Sequence, residues 1–189
     1  MSLVQTHKPS GTFSDYAASL FERVLQTGLG YHRIDVVFDV YDEKSIKSAE
    51  RARRGEQKMC SIKINRGDVR IPKNWRAFLS NIENKNELVS FLIATWQTYT
   101  CKVQEGLTLV LSGVTATIVT HELVQSSAGL ISNHDEADTR LILHAADALR
   151  SYDLAVIRSV DTDVLVIGIH HFNAMVGDGG KDVVMHMGM

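Results

Sequence analysis

Hydrophobic and polar positions alternate along this chain in two rhythms, one typical of helices and one of strands. Apolar residues recur every three or four positions between residues 13 and 24, after Thr12, a good helix N-cap, so we predict an amphipathic helix there. The β-branched run at residues 34–38 predicts a strand buried on both faces apart from Asp35. Asp39 then falls at the carboxyl end of that strand.

The rest of the chain continues the alternation. Helices are expected at residues 45–54, 75–82, 86–99 and from Asn133 to about residue 152. Strands are expected at residues 107–111, 115–119 and 154–157, the first two as a hairpin, and a helix or a strand follows from Thr162. Such an order predicts an α/β fold with a mostly parallel central sheet and helices on both faces.

Composition predicts one ordinary globular domain. The chain has 189 residues, of which 44% are hydrophobic and 22% charged. Cys60 and Cys101 lack metal-type spacing and the N-terminus has no apolar signal core, so we expect free thiols and an intracellular location, nuclear or cytoplasmic. The longest apolar run, residues 164–169, is far shorter than the roughly 20 residues of a membrane-spanning helix, so no membrane partner is expected.

Positive charge is concentrated in one segment although the net charge is only −2. Residues 44–73 hold ten of the twenty Lys and Arg residues against three acids. A local basic surface follows if these side chains share a face, and a solvated helix face is the plainer alternative.

Acidic residues occupy the positions where an open parallel sheet places its ligand-binding groups, beyond the carboxyl ends of the strands. They are Asp39, Glu136, Asp138, Asp161 and Asp163. Each one alone is explained as a helix cap. Asp138, however, shares a helical stripe with apolar residues, and a buried carboxylate needs a cation. Hard oxygen ligands suit Mg²⁺ or Mn²⁺. Arg140 or Arg158 would supply the positive charge in the alternative, a structural ion-pair network.

Other chemistry has weaker support in the sequence. His170 and His171 are adjacent and cannot easily face one zinc ion together with His134 or His144. The glycine-rich residues 177–180 do not follow a strand with a phosphate-binding lysine and hydroxyl, so no nucleotide cofactor is expected.

Three short motifs in order resemble a known family. The sequences HDEADTR at residues 134–140 and SVDTDVL at residues 159–165 resemble the internal acidic motif of flap-endonuclease and PIN-like nucleases. VVFD at residues 36–39, before a Lys/Arg-rich stretch, is similar to an earlier strand and basic helix of that superfamily. The amino-acid sequences of all three motifs also resemble those of a group of uncharacterised animal proteins, some of them derived from mobile elements.

The resemblance implies a PIN-like three-layer sandwich with a two-metal phosphodiesterase site that acts on DNA or RNA. Asp39, Glu136 and Asp138 would then bind one Mg²⁺ or Mn²⁺ ion, and Asp161 and Asp163 the other. Basic residues that follow the VVFD motif would neutralise the charge of the phosphate. The candidates for this role are Lys44, Lys47, Arg51, Arg53 and Arg54.

The chain departs from the family in one respect. Family members carry a further aspartate at the end of an N-terminal strand, whereas residues 1–11 contain no acid. We therefore expect residues 1–189 to form a single PIN-like nuclease domain, with or without its first strand, and Asp178 or Asp182 are candidates for a late aspartate of the family. The alternatives are a degenerate PIN-like module that binds nucleic acid or protein without cleavage, and an α/β domain whose acids are only caps and ion pairs.

Overall fold

The computed structural model of the chain describes residues 10–39, 61–130, 137–177 and 180–188. The helices are α1 (Phe13–Thr27), α2 (Trp75–Ser80), α3 (Ile82–Gln97), α4 (Ala137–Ala148) and α5 (Thr162–Val176), with 3₁₀ turns at Thr100–Lys102 and Ala128–Leu130. The strands are β1 (Arg33–Val37), β2 (Thr108–Ser112), β3 (Ala116–Val119), β4 (Val124–Ser126), β5 (Leu154–Ser159) and β6 (Asp182–Met187). The helix predicted at residues 45–54 lies outside the described ranges.

The described strands form two sheets. One has the order β1-β2-β3-β4, in which β1 and β2 are parallel and the two later pairs are antiparallel, and the other is the parallel pair β5-β6. The α/β class is confirmed, but a mostly parallel central sheet is not. The reason is local, because the short turn after β2, closed by the Gly113 N–H to the Thr115 carbonyl at 3.0 Å, reverses the chain into a hairpin.

Helix α1 begins where the sequence predicts. Thr12 and Asp15 form a capping box in which each side chain accepts from the backbone N–H of the other. The Thr12 N–H and the Thr12 hydroxyl both donate to the Asp15 carboxylate, and they hold its pKa below the usual value. The apolar stripe of α1 is fully buried against α3, where the Trp96 indole donates to the Ala17 carbonyl at 2.9 Å.

The four-stranded sheet carries helices on both faces because side chains alternate along each strand. Leu109 and Leu111 of β2 enter the large core that is built with α1, α2 and α3. Val110 points the other way, into a smaller cluster that includes Leu143 of α4. Strand β1 divides likewise, since Val36 belongs to the large core while Asp35 contacts α4.

Helix α4 connects the two sheets. Its buried Arg140 donates to the carbonyl of Phe38 at 2.9 Å, to Ser112 Oγ and to the carbonyl of Gly113, which follow β1 and end β2. Burial lowers the pKa of the Arg140 guanidinium, and the nearby Asp39 carboxylate opposes that shift. A second stripe of α4 packs against β5, β6 and α5 through Ile142, Ala145 and Leu149.

The sequence did not predict every element. Strands β4 and β6 were missed, since β4 is three exposed residues and β6 follows the glycine-rich residues 177–180. The segment from Thr162, predicted as a helix or a strand, is the helix α5. No helix among the described residues is long and apolar enough to cross a membrane.

Arg140→Ala should lower the free energy of unfolding by about 3 kcal/mol or more, because buried carbonyl and hydroxyl groups lose their donor. The matched control is Arg150→Ala, since the Arg150 side chain is 82% exposed and its ion pair with Asp147 is long, at 3.7 Å. That change should cost less than about 0.5 kcal/mol. Urea unfolding of both variants measures the difference, and equal losses would contradict the role given to Arg140.

Candidate metal centre

Asp138, Asp161 and Asp163 form one acidic group, in which one carboxylate oxygen from each lies within 4.8 Å of the others. Asp138 is half-buried in the first turn of α4, and Asp161 and Asp163 are exposed at the start of α5. The group thus lies where β5 ends and two helices begin. Among the described residues it is the one set of acids, histidines and cysteines spaced to hold a metal ion.

Local sequence explains why these carboxylates meet. After β5 the chain stays extended at Asp161, whose N–H donates to Ser159 Oγ at 3.0 Å. The Asp161 Oδ1 then accepts the N–H of Asp163 at 3.0 Å and caps α5. The positive ends of the α4 and α5 dipoles both favour negative charge here. The role of Asp161 as the cap of α5 is therefore compatible with a role as a metal ligand.

The donor set fits a hard divalent cation. Its ligands are carboxylate oxygens, with no nitrogen or sulfur, which suits Mg²⁺ or Mn²⁺ better than zinc. Oxygens on opposite sides of an octahedral Mg²⁺ ion are about 4 Å apart, so a spread within 4.8 Å closes onto one ion with small side-chain movements. The described acids therefore suit one cation, and Glu136, a ligand predicted for the other, lies outside the described ranges.

Asp39 takes a different place. Its Oδ1 accepts the backbone N–H of Ala137 at 3.1 Å, and its charge acts on the guanidinium of Arg140. The structure brings Asp138 together with Asp161 and Asp163, and Asp39 is not a member of that group. Positive charge from Arg140 near one of these acids is what the structural alternative expected.

A late aspartate does not complete the group among the described residues. Asp182 pairs with Leu154 in the parallel register of β5 and β6, so it lies at the opposite end of β5 from Asp161. At about 3.3 Å per residue these ends are separated by more than 15 Å. Asp178, the other candidate, lies outside the described ranges.

The predicted phosphate-contacting residues also fall outside them, namely Lys44, Lys47, Arg51, Arg53 and Arg54. Four cations of the same basic segment are described and exposed, and they are Lys63, Arg66, Arg70 and Lys73. Arg66 forms an exposed pair with Asp68. The adjoining Ile62 and Ile64 hold this part of the segment on α3, where their N–H groups donate to Asn84 at 2.7 Å and Glu87 at 3.4 Å.

A partly buried charged network, which the sequence analysis missed, joins β1 to α4. Asp35 accepts from Arg33 at 2.7 Å and from the ring nitrogen Nδ1 of His144 at 2.6 Å. Arg33 also donates to Asp147 at 2.9 Å. Burial acts to raise the pKa of Asp35, but the hydrogen bonds from His144 and Arg33 outweigh it and lower that pKa. The signal was the i, i+4, i+7 spacing of Arg140, His144 and Asp147, which puts them on one helical stripe.

No protein-family model, curated protein or solved structure matches this chain. The resemblance to PIN-like nucleases therefore rests on the motifs alone.

Asp35→Asn should lower the free energy of unfolding at neutral pH by about 3 kcal/mol, because Arg33 and His144 lose a largely buried anion. The lowered pKa of Asp35 stabilises the fold fully when the pH is above about 3.9, the pKa of an aspartate in the unfolded chain. This stabilisation is lost as the pH falls through the lower pKa that Asp35 has in the folded chain. The gap between wild type and variant should therefore shrink below about pH 4. Urea titrations between neutral and acidic pH test this, with the exposed Asp68→Asn as control. A gap that does not depend on pH would contradict it.

Proposed function

We propose that this domain is a divalent-metal-dependent nuclease that hydrolyses phosphodiester bonds of DNA or RNA. The observation that carries the proposal is the group formed by Asp138, Asp161 and Asp163 at the carboxyl end of β5. The placement of the three motifs is a second support. VVFD ends beside α4, HDEADTR includes the first turn of α4, and SVDTDVL brings Asp161 and Asp163 to Asp138.

The chemistry assigns distinct tasks to these residues. Mg²⁺ or Mn²⁺ bound here would supply Lewis acidity toward a phosphate oxygen and a water molecule of lowered pKa. Asp138, Asp161 and Asp163 would hold the ion, and the cap hydrogen bond fixes the Asp161 carboxylate for that task. Lys44 or Lys47 and Arg51, Arg53 or Arg54 would neutralise the scissile phosphate. Two-metal hydrolysis needs further metal ligands, and we assign this role to Glu136 and Asp39.

A second candidate function is nucleic-acid or protein binding without cleavage. The contacts of Asp39 favour it, because a carboxylate that caps α4 and faces Arg140 is less available to a cation. The position of Asp182 at the opposite end of β5 points the same way.

Mn²⁺ binding is the first test of the proposal. In calorimetric titration the wild type should bind Mn²⁺, and Asp161→Asn/Asp163→Asn should bind it at least about tenfold more weakly, because each amide replaces an anionic ligand. Asp153→Asn/Asp182→Asn is the matched control, since it removes two acids from the opposite end of β5 and β6.

Equal Mn²⁺ uptake by the wild type and Asp161→Asn/Asp163→Asn would place any metal elsewhere. The metal-free form of this variant should unfold at a slightly higher denaturant concentration, because carboxylates without a cation repel one another. Circular dichroism of both double variants checks that they fold.

Nucleic-acid binding and turnover are tested separately. Affinity for a labelled single strand or flap should fall steeply with salt, because bound cations release counterions from the phosphates. Lys47→Ala/Arg51→Ala/Arg54→Ala should weaken binding by a similar factor for all sequences and flatten the salt dependence. With Mn²⁺ we expect slow cleavage or none, because residues 1–11 lack the family's first aspartate and each 1.36 kcal/mol of lost transition-state stabilisation slows the reaction about tenfold.

The outcomes separate the two candidate functions. Robust cleavage that Asp161→Asn abolishes would show an active nuclease with a replaced or dispensable first aspartate. Slow cleavage that Asp161→Asn abolishes would support a nuclease with an incomplete site, whereas salt-dependent binding with no detectable cleavage would favour the non-cleaving module. If the wild type binds no nucleic acid even at low salt, both nucleic-acid readings are wrong.

A further inference from the structure

The sheet of β5 and β6 has one exposed face in the described part of the chain. The side chains that enter the apolar cluster with α4 and α5 are Ala155, Ile157, Val183 and Met185. Because side chains alternate along a strand, the residues between them project from the other face, where each one is exposed or half-buried. At the carboxyl end of that face Arg158 and His186 are partners in the parallel register, and both are exposed.

Arg158 lies close to the acidic group and has no partner of its own among the described residues. It is three residues before Asp161, so their Cα atoms are at most about 11 Å apart. Its side chain forms no ion pair or hydrogen bond within the described ranges, so it does not supply the structural ion pair that the sequence also allowed. The exposed acids of this sheet, Asp153 and Asp182, lie at its opposite end.

The charge of the acidic group requires a cation beside any phosphate that binds there. Asp138, Asp161 and Asp163 formally carry one negative charge more than a bound divalent ion neutralises, and a phosphodiester adds another. This excess opposes binding of the phosphate unless a positive side chain lies next to it. Arg140 is engaged with buried carbonyl and hydroxyl groups, whereas the exposed Arg158 has no such contacts.

We propose that Arg158 and His186 bind a phosphate group of a nucleic-acid strand, next to the phosphate that the metal ion holds. The Arg158 guanidinium would donate two parallel hydrogen bonds to the phosphate oxygens. A ring N–H of His186, one strand spacing or about 5 Å away, would donate a third. This inference rests on the proposed nuclease function and adds to it the path of the strand, which passes over the carboxyl ends of β5 and β6.

Binding of a labelled oligothymidylate to the whole chain, with and without Mn²⁺, tests the contact. Arg158→Ala and His186→Ala should each weaken binding by about fivefold or more, because a charge-assisted or direct hydrogen bond to the phosphate is lost. Arg158→Lys should lose less than Arg158→Ala, since it keeps the charge but not the paired donors. Arg158→Ala should also lower the slope of affinity against salt concentration by about one phosphate contact.

Two exposed residues elsewhere provide matched controls. Arg150 is 82% exposed and lies just after the end of α4 that is remote from Asp138, and His170 is exposed in the second half of α5. Arg150→Ala and His170→Ala should each change the affinity for oligothymidylate by less than about twofold. In calorimetric titration, Arg158→Ala and His186→Ala should bind Mn²⁺ no more weakly than the wild type, because removal of a nearby cation does not weaken binding of a metal ion.

The outcomes separate this contact from the proposed function. Equal affinity of the wild type, Arg158→Ala and His186→Ala for oligothymidylate would overturn the contact and leave the metal-dependent nuclease proposal intact. If the wild type takes up no Mn²⁺, the nuclease proposal is wrong, but weaker metal-free binding by the two variants would still support the phosphate contact.

Three other results also contradict the contact. They are a wild type that binds no oligothymidylate at low salt, a loss in Arg150→Ala as large as that in Arg158→Ala, and a parallel loss of Mn²⁺ affinity in Arg158→Ala and His186→Ala. Circular dichroism checks that the variants fold, and Arg158→Lys supplies a second, conservative change at the same position.

Discussion

The structure depends on how one helix, α4, is fastened to the carboxyl ends of β1 and β2 through a buried guanidinium. Arg140 donates to two carbonyls and a hydroxyl at once, and the nearby Asp39 carboxylate offsets part of the effect of burial on the guanidinium. A buried charge is stable only when its hydrogen bonds and a counter-charge are in place. The position of α4 is therefore specified more narrowly than apolar packing alone would specify it.

That position creates the candidate metal centre. Asp138 is two residues from Arg140 and is carried to the end of β5, where Asp161 caps the next helix. The site thus combines a helix held by polar contacts on one side with a strand held by apolar contacts on the other. Loss of the contacts of Arg140 should also displace Asp138, because two residues so close together in one helix move as a rigid body.

Helix α4 also shows how polar and apolar stripes divide the work of packing. The stripe of Arg140, His144 and Asp147 faces β1, and the stripe of Ile142, Ala145 and Leu149 faces β5. Hydrogen bonds fix the first contact in register, whereas the second is directed mainly by burial of apolar area. The same helix therefore contacts both sheets, each through a different stripe.

The sequence by itself determined the local elements, because capping and periodicity act within a few residues. Thr12 with Asp15, the β-branched run of β1 and the hairpin of β2 and β3 all formed where their patterns predicted. Only the tertiary structure decided the pairing of strands into two sheets, the grouping of Asp138 with Asp161 and Asp163, and the use of Asp39 beside Arg140. These features join residues far apart in the chain, and their geometry follows from how helices and strands pack, which spacing along a sequence does not specify.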